Sequence, residues 1–162
     1  MIRPATFSDI PAIVRLLQQS YMKTHYARTG IAEIDEPEAK RLLLASIQRH
    51  GQKHGGACWV CVVDSGASID GLILGTLTRV YSIGNRLMAT DLFWLVNEHA
   101  DPRDAIGLMK GMVGWAEANP AVVEVHCGTT AIIADDPAVT SRLLAQIGFK
   151  QYGLISRLEL RK

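Results

Sequence analysis

Apolar positions along this chain follow two periods. Ile10, Ile13, Val14, Leu17 and Tyr21 recur at three- and four-residue intervals, the spacing of an amphipathic helix, with Ser8 placed as its N-cap. Glu36-Pro37 opens a second helix with Ala39, Leu43 and Ile47 inward, ending near Gly51. Between them, Lys23 to Asp35 keeps no firm period and reads as a loop or broken helix. Beyond Gly55-Gly56 the pattern becomes that of strands: Ala57 to Val63, Gly71 to Tyr81, and Arg86 to Val96 after a hairpin turn at Gly84-Asn85. Asp101 as N-cap and Pro102 at the first helical position start a third helix, with Leu108, Met109, Met112, Val113 and Ala116 as its buried stripe. Val122 to Cys127 reads as a strand. Asp136-Pro137 opens a fourth helix with Val139, Leu143 and Ile147 inward and Gly148 as C-cap. Ile2 to Thr6 at the start and Phe149 to Leu160 at the end read as extended.

This order predicts an α/β fold. The middle strands form an antiparallel meander, and the strand-helix-strand unit around residues 92 to 127 adds a parallel neighbour. The expected architecture is a central mixed, mostly antiparallel sheet with about four helices on its two faces. No repeat, low-complexity tract or linker interrupts the 162 residues, so one domain over 1–162 is expected.

Composition narrows the function. An apolar fraction of 48% with 20% charged residues is that of a folded chain. A formal net charge of +1, without an aromatic-basic cluster, argues against nucleic acid and against an anionic membrane as partner. No apolar run approaches the roughly 20 residues of a membrane helix. Met1-Ile2-Arg3-Pro4 lacks the apolar stretch of a secretory signal, which makes the cytoplasm the expected compartment. Cys58 and Cys61 form a C-x-x-C, but inside a strand their side chains point to opposite faces. They read as buried thiols, and no metal is expected. No G-x-G-x-x-G or G-K-[ST] follows a strand, which excludes a dinucleotide-binding or P-loop protein.

Several stretches carry a resemblance. Ile2-Arg3-Pro4-Ala5-Thr6 with Asp9-Ile10-Pro11-Ala12-Ile13 looks like the first strand and helix of the GNAT (GCN5-related N-acetyltransferase) superfamily. Asp91-Leu92-Phe93-Trp94-Leu95-Val96 looks like its fourth strand, Gly114-Trp115-Ala116 like the end of its CoA-binding helix, and Leu143-Leu144-Ala145-Gln146-Ile147-Gly148-Phe149 like its closing helix. The four occur in the family's order. The chain thus resembles a divergent GNAT member, which implies a GNAT-like acyl-CoA N-acyltransferase fold. It also implies an N-acyltransferase that moves an acetyl or related acyl group from acetyl-CoA, or another acyl-CoA, to an amine by direct attack. The acceptor would be a small-molecule amine or a peptide or protein amine, and homodimers are common in this fold. In the family the fourth strand splays from the fifth and the pantetheine arm enters the gap. Carried over, the pairing backbone is Leu95, Val96 and Asn97, and the diphosphate sits at the start of the next helix, near Arg103, Asp104 and Ala105.

The chain departs from the family text at that helix. The usual Arg or Gln, two residues, Gly, one residue, Gly or Ala is replaced by Ala100-Asp101-Pro102-Arg103-Asp104-Ala105. Two acids stand on the turn that should hold an anion, and donor binding weaker than the family's is expected. The family's tyrosine in the closing helix is Leu144 here. The family's alternative fate is a catalytically degenerate module that binds or scaffolds without turnover.

Acyl transfer to an amine requires the neutral amine, and for a lysine that costs about 4.6 kcal/mol at pH 7. A base must supply part of it. Asp91, on the fourth strand at the splay, is the first candidate; Glu98, on the loop that follows, is the second. Tyr152 is the candidate acid for the leaving sulfur, in place of the missing tyrosine. Tyr21, His25 and Tyr26 follow the first helix, which by analogy walls the acceptor side.

Overall fold

The computed structural model describes residues 1–128, 137–158 and 160. Its elements run β1 (Ile2–Pro4), α1 (Ile10–Tyr21), α2 (His25–Thr29), α3 (Glu36–Gln48), β2 (Cys58–Asp64), β3 (Ile69–Arg79), β4 (Leu87–Val96), α4 (Pro102–Glu117), β5 (Val122–His126) and α5 (Pro137–Ile147). The strands form one five-stranded sheet in the order β1-β2-β3-β4-β5. All neighbours are antiparallel except β4 and β5, which run parallel through the α4 crossover.

β2 and β3 bury both faces over most of their length, because helices cover both, while the edge strands β1 and β5 are only partly buried. On one side Ile13, Val14 and Leu17 of α1 and Leu43 of α3 pack on Val60, Val62, Leu72 and Leu74. On the other, Leu108, Met109 and Met112 of α4 and Leu144 of α5 pack on Cys61, Val63, Ile73 and Ala89. Cys58 and Cys61 fall in opposite cores, as the strand period requires. The desolvated Cys61 thiol is pushed up to about 12, so it stays protonated and inert.

Several local expectations shift. The chain enters α1 through a short 3-10 turn, Phe7–Asp9, rather than from a Ser8 cap. The Asp9 carboxylate accepts from the Thr6 N–H at 2.7 Å and the Thr6 hydroxyl at 2.8 Å. The stretch from Lys23 to Asp35 contains α2, whose cap Thr24 accepts from the Ala27 N–H at 3.3 Å; α2 makes five helices among the described residues. On α5, Val139 is exposed and Leu144 is the buried contact. Asp136, expected to open that helix, lies outside the described residues. The closing strand is also absent: residues 149–158 and 160 carry no strand, and Tyr152, Leu154, Ile155 and Leu158 are exposed. Alternating sequence favours an extended chain but supplies no ladder partner, and none is paired with this segment among the described residues.

One irregularity positions everything that follows. Leu74 pairs with Phe93 and Gly75 with Asp91, so Leu92 is an extra residue in β4, a β-bulge. Gly75 lies opposite it. A Cβ there would stand 2.3 Å from Met112 Sδ and 3.1 Å from Met112 Cγ, and Met112 is fully buried. Glycine therefore lets α4 settle on the sheet at the bulge. Gly75→Ala is expected to destabilise the fold by about 1–3 kcal/mol through overpacking. Urea unfolding checks this as a lower midpoint at unchanged slope.

Candidate functional site at the fork of two strands

The β4–β5 ladder is short. It pairs Leu87 with Val122, Met88 with Glu124, Ala89 with Val125 and Thr90 with His126, and stops there. From Asp91 to Val96, β4 keeps its pairing with β3 except at the bulged Leu92, and has no β5 partner among the described residues. β5 itself ends at His126 and the bulge at Leu92 bends β4 at the same point, so among the described residues β4 runs on past its partner and leaves an open fork beside its edge.

The free edge of β4 can be resolved group by group. In an antiparallel ladder, both main-chain groups of one residue face the same neighbour, and the next residue faces away. The Asn97 N–H donates to the Asp70 carbonyl at 2.7 Å, so Asn97 faces β3. Leu95 and Phe93 do the same by alternation. That leaves Trp94 and Val96 with N–H and C=O aimed into the gap. Of the three residues expected to pair with a thioester arm, Leu95, Val96 and Asn97, the register points only Val96 into the fork, and it adds Trp94. The Trp94 indole N–H donates to the Ala105 carbonyl at 2.9 Å, which ties the open strand to the first turn of α4.

Asp91 sits at the fork itself. Its Oδ1 accepts from the Gly128 N–H at 3.2 Å, and it is hydrogen-bonded to the Cys127 side chain. Alternation places it on the α4 side of the sheet with Ala89. Desolvation is the largest influence on its carboxyl and raises its pKa above the ordinary value, against those hydrogen bonds. The Cys127 thiol is pushed up further, by burial first and then by the Asp91 charge. It is protonated at neutral pH and no nucleophile.

The other sequence candidates separate. Tyr152 lies against His126, ring centroids 5.2 Å apart, with its hydroxyl 3.3 Å from Nδ1. His126 pairs with Thr90, next to Asp91, so Tyr152 belongs to the neighbourhood of the fork. Glu98 does not. It lies beyond the end of β4, is exposed, and forms an ion pair with Lys23. The strand from Asp91 to Val96 alone spans roughly 16 Å, so Asp91 and Glu98 cannot act on one reacting atom. Glu98 and Lys23 instead line a cleft of about 1060 Å³ between α1, the β2–β3 turn and the loop after β4, together with Arg15, Gln19, Asp70 and His99. Tyr21 is held by its hydroxyl donating to the Ala32 carbonyl.

At the start of α4, Ala105 is buried and Arg103 is exposed, its guanidinium folded back onto Asp101 with Nε 3.1 Å from Oδ2. Asp101 caps the helix, its Oδ1 accepting from the Arg103 N–H at 2.8 Å. Asp104 adds a second acid in the first turn. Leu144 is buried in the α4-side core as a packing residue. Among the described residues no helix is long and apolar enough to cross a membrane, and no cluster of three His, Cys, Asp or Glu side chains could hold a metal.

The signals for Cys127, Gly128 and Trp94 were weak in sequence, because their roles depend on where β5 ends relative to β4. Gly75 inside an apolar strand was the one local pointer to a bulge.

No protein-family model and no curated protein matches this chain in sequence. Its fold matches known structures along nearly its whole length. A point mutant of the BH1408 protein of Bacillus halodurans superposes with a TM-score of 0.74 at 18% identity, covering 99% of each chain. A Trypanosoma brucei acetyltransferase superposes with a TM-score of 0.66 at 13% identity, again covering 99% of each. A structure described as a transcriptional regulator from Bacillus halodurans C-125 gives 0.67 at 17% identity, covering 98% of this chain and 99% of its own.

Proposed function

We propose that this chain, whose fold is that of acetyltransferases of the GNAT kind, transfers an acyl group from a thioester to an amine. The observation that carries the reading is the fork: a ladder that stops at Thr90 with a desolvated carboxylate, Asp91, at its apex. The donor supplies an activated acyl carbon on an extended arm. Trp94 and Val96 present main-chain groups, unpaired among the described residues, to such an arm, and their N–H groups to the oxyanion that develops on its carbonyl. Asp91 accepts the proton of the attacking amine, directly or through one water. Burial makes this carboxylate a stronger base than an exposed one, which recovers part of the cost of the neutral amine. The N–C bond forms as the C–S bond breaks, and the sulfur leaves with a proton from Tyr152. A protonated Cys127 supports direct attack over an acyl-cysteine route.

The test is amine-dependent thiol release from acetyl-CoA over a panel of small amines and lysine peptides, with acylated product identified by mass. Donor binding with turnover supports the proposal. A second reading, donor binding without turnover, is favoured by the burial of Leu144 and the acids at α4, and thioester retention with no product on any amine is its signature. Absence of both binding and turnover removes the acyl-transfer reading.

A further inference from the structure

The loop between β4 and α4 is where the fold's usual donor would place a diphosphate, and main-chain N–H groups are what would hold it. Their use can be followed through residues 97–104. The Asn97 N–H donates to Asp70 O at 2.7 Å, the His99 N–H to Asn97 Oδ1 at 3.0 Å and the Ala100 N–H to Asn97 O at 3.3 Å. The Arg103 N–H donates to Asp101 Oδ1 at 2.8 Å and the Asp104 N–H to Asp101 O at 2.8 Å. Pro102 has no N–H. Glu98 and Asp101 are the remaining two; the Glu98 carboxylate is paired with Lys23, and the Asp101 carboxylate caps the helix. The side chains repeat the pattern. Asn97 Nδ2 donates to Asp70 Oδ1 at 2.8 Å, which fixes the loop, and Arg103, the cation nearest in sequence to the helix start, is folded onto Asp101.

The positive end of α4 is thus already neutralised by a carboxylate of its own chain, with Asp104 behind it. A phosphate arriving there would have to displace Asp101 from its cap and would meet two carboxylates against the single guanidinium of Arg103, which is already paired with one of them. The fork is the opposite case: among the described residues, its donors and acceptors at Trp94 and Val96 are open. A diphosphate does not fit this chain where an uncharged arm does.

We infer that the protein recognises its acyl donor through the pantetheine arm alone, without a diphosphate grip, so that thioesters lacking the nucleotide are donors of equal standing. This rests on the acyl-transfer reading and specifies its donor class. An uncharged arm is held by the strand edge through amide pairing, and the nucleotide remains in solvent.

Calorimetric titration of the wild-type chain with CoA and with pantetheine tests it directly. The two dissociation constants are expected to agree within about threefold, the scale of a helix-end charge effect. Affinity for CoA is expected not to fall with added salt, because no phosphate contact is there to be screened. Asp101→Asn keeps a capping side chain and removes the charge; it should tighten CoA by about threefold and leave pantetheine unchanged. CoA bound more than about thirtyfold tighter than pantetheine, the worth of one or two charge-assisted hydrogen bonds, overturns the inference while leaving acyl transfer intact. Binding of neither ligand overturns the inference together with the reading beneath it.

Discussion

Asp91→Asn lowers the turnover number for acyl transfer by about 10²–10⁴, the usual contribution of a positioned base. Asparagine is nearly the same shape, and its side-chain oxygen can still accept from the Gly128 N–H. Donor affinity should therefore stay within about twofold, since the arm is held by main-chain groups rather than by this side chain. The pH profile separates a base from a mere packing residue. In the wild type, activity falls as pH drops through the raised pKa of Asp91, because the protonated carboxyl cannot accept a proton. In the variant that acid limb disappears along with most of the rate. Stability moves the other way. A carboxyl whose folded pKa is raised binds its proton more tightly in the native state, so its ionised form is a cost to the fold at neutral pH. The variant should accordingly unfold at the same temperature as the wild type or higher. Unchanged turnover in a folded Asp91→Asn protein would remove Asp91 from the mechanism.

Arg3→Met is the substitution with the largest expected effect on stability. Arg3 on β1 reaches Asp9 with Nη1 at 2.7 Å and Nη2 at 2.9 Å, a bidentate pair, and reaches Asp64 at the end of β2 with Nε at 2.7 Å. It thereby fastens the first strand, the entry to α1 and the second strand around one cation. Asp9 is nearly buried and its carboxyl is held well below the usual carboxylate range, first by the Arg3 hydrogen bonds, against desolvation, and then by Thr6. Methionine keeps most of the stem and removes the charge, so Asp9 is left buried without a cation. The expected loss is about 2–4 kcal/mol, below the range for a fully buried pair because Arg3 retains some solvent contact. For a chain of this length that is roughly 5–15 °C in melting temperature. The pH dependence has a definite sign. A depressed folded pKa contributes stability that is complete above the unfolded pKa near 3.9 and is lost as pH falls below it. Arg3→Met should flatten that acid limb, and adding Asp9→Asn to it should restore part of the lost stability. A double variant no more stable than Arg3→Met would place the energy elsewhere.

The local pattern carried most of the frame. Hydrophobic period located every described strand and the principal helices. Asp101-Pro102 set the start of α4, and the strand period put Cys58 and Cys61 on opposite faces. The same local text put Asp91 on the fourth strand and Asp101 and Asp104 at the start of α4. These are legible in one dimension because they depend on neighbours within a few residues. The closing strand was misread for the converse reason: alternation in Tyr152, Leu154 and Leu158 says what a segment can become, not whether an edge is there to receive it. Tertiary structure alone decided that the β4–β5 ladder ends at Thr90, that a bulge at Leu92 coincides with that end, and that Cys127 and Gly128 arrive beside Asp91. It also decided that Trp94, rather than Leu95 or Asn97, joins Val96 in facing the gap. Register and strand length are properties of two segments at once, set by how their side chains pack against helices distant in sequence. A parity that reverses with a single inserted residue cannot be read from either strand alone.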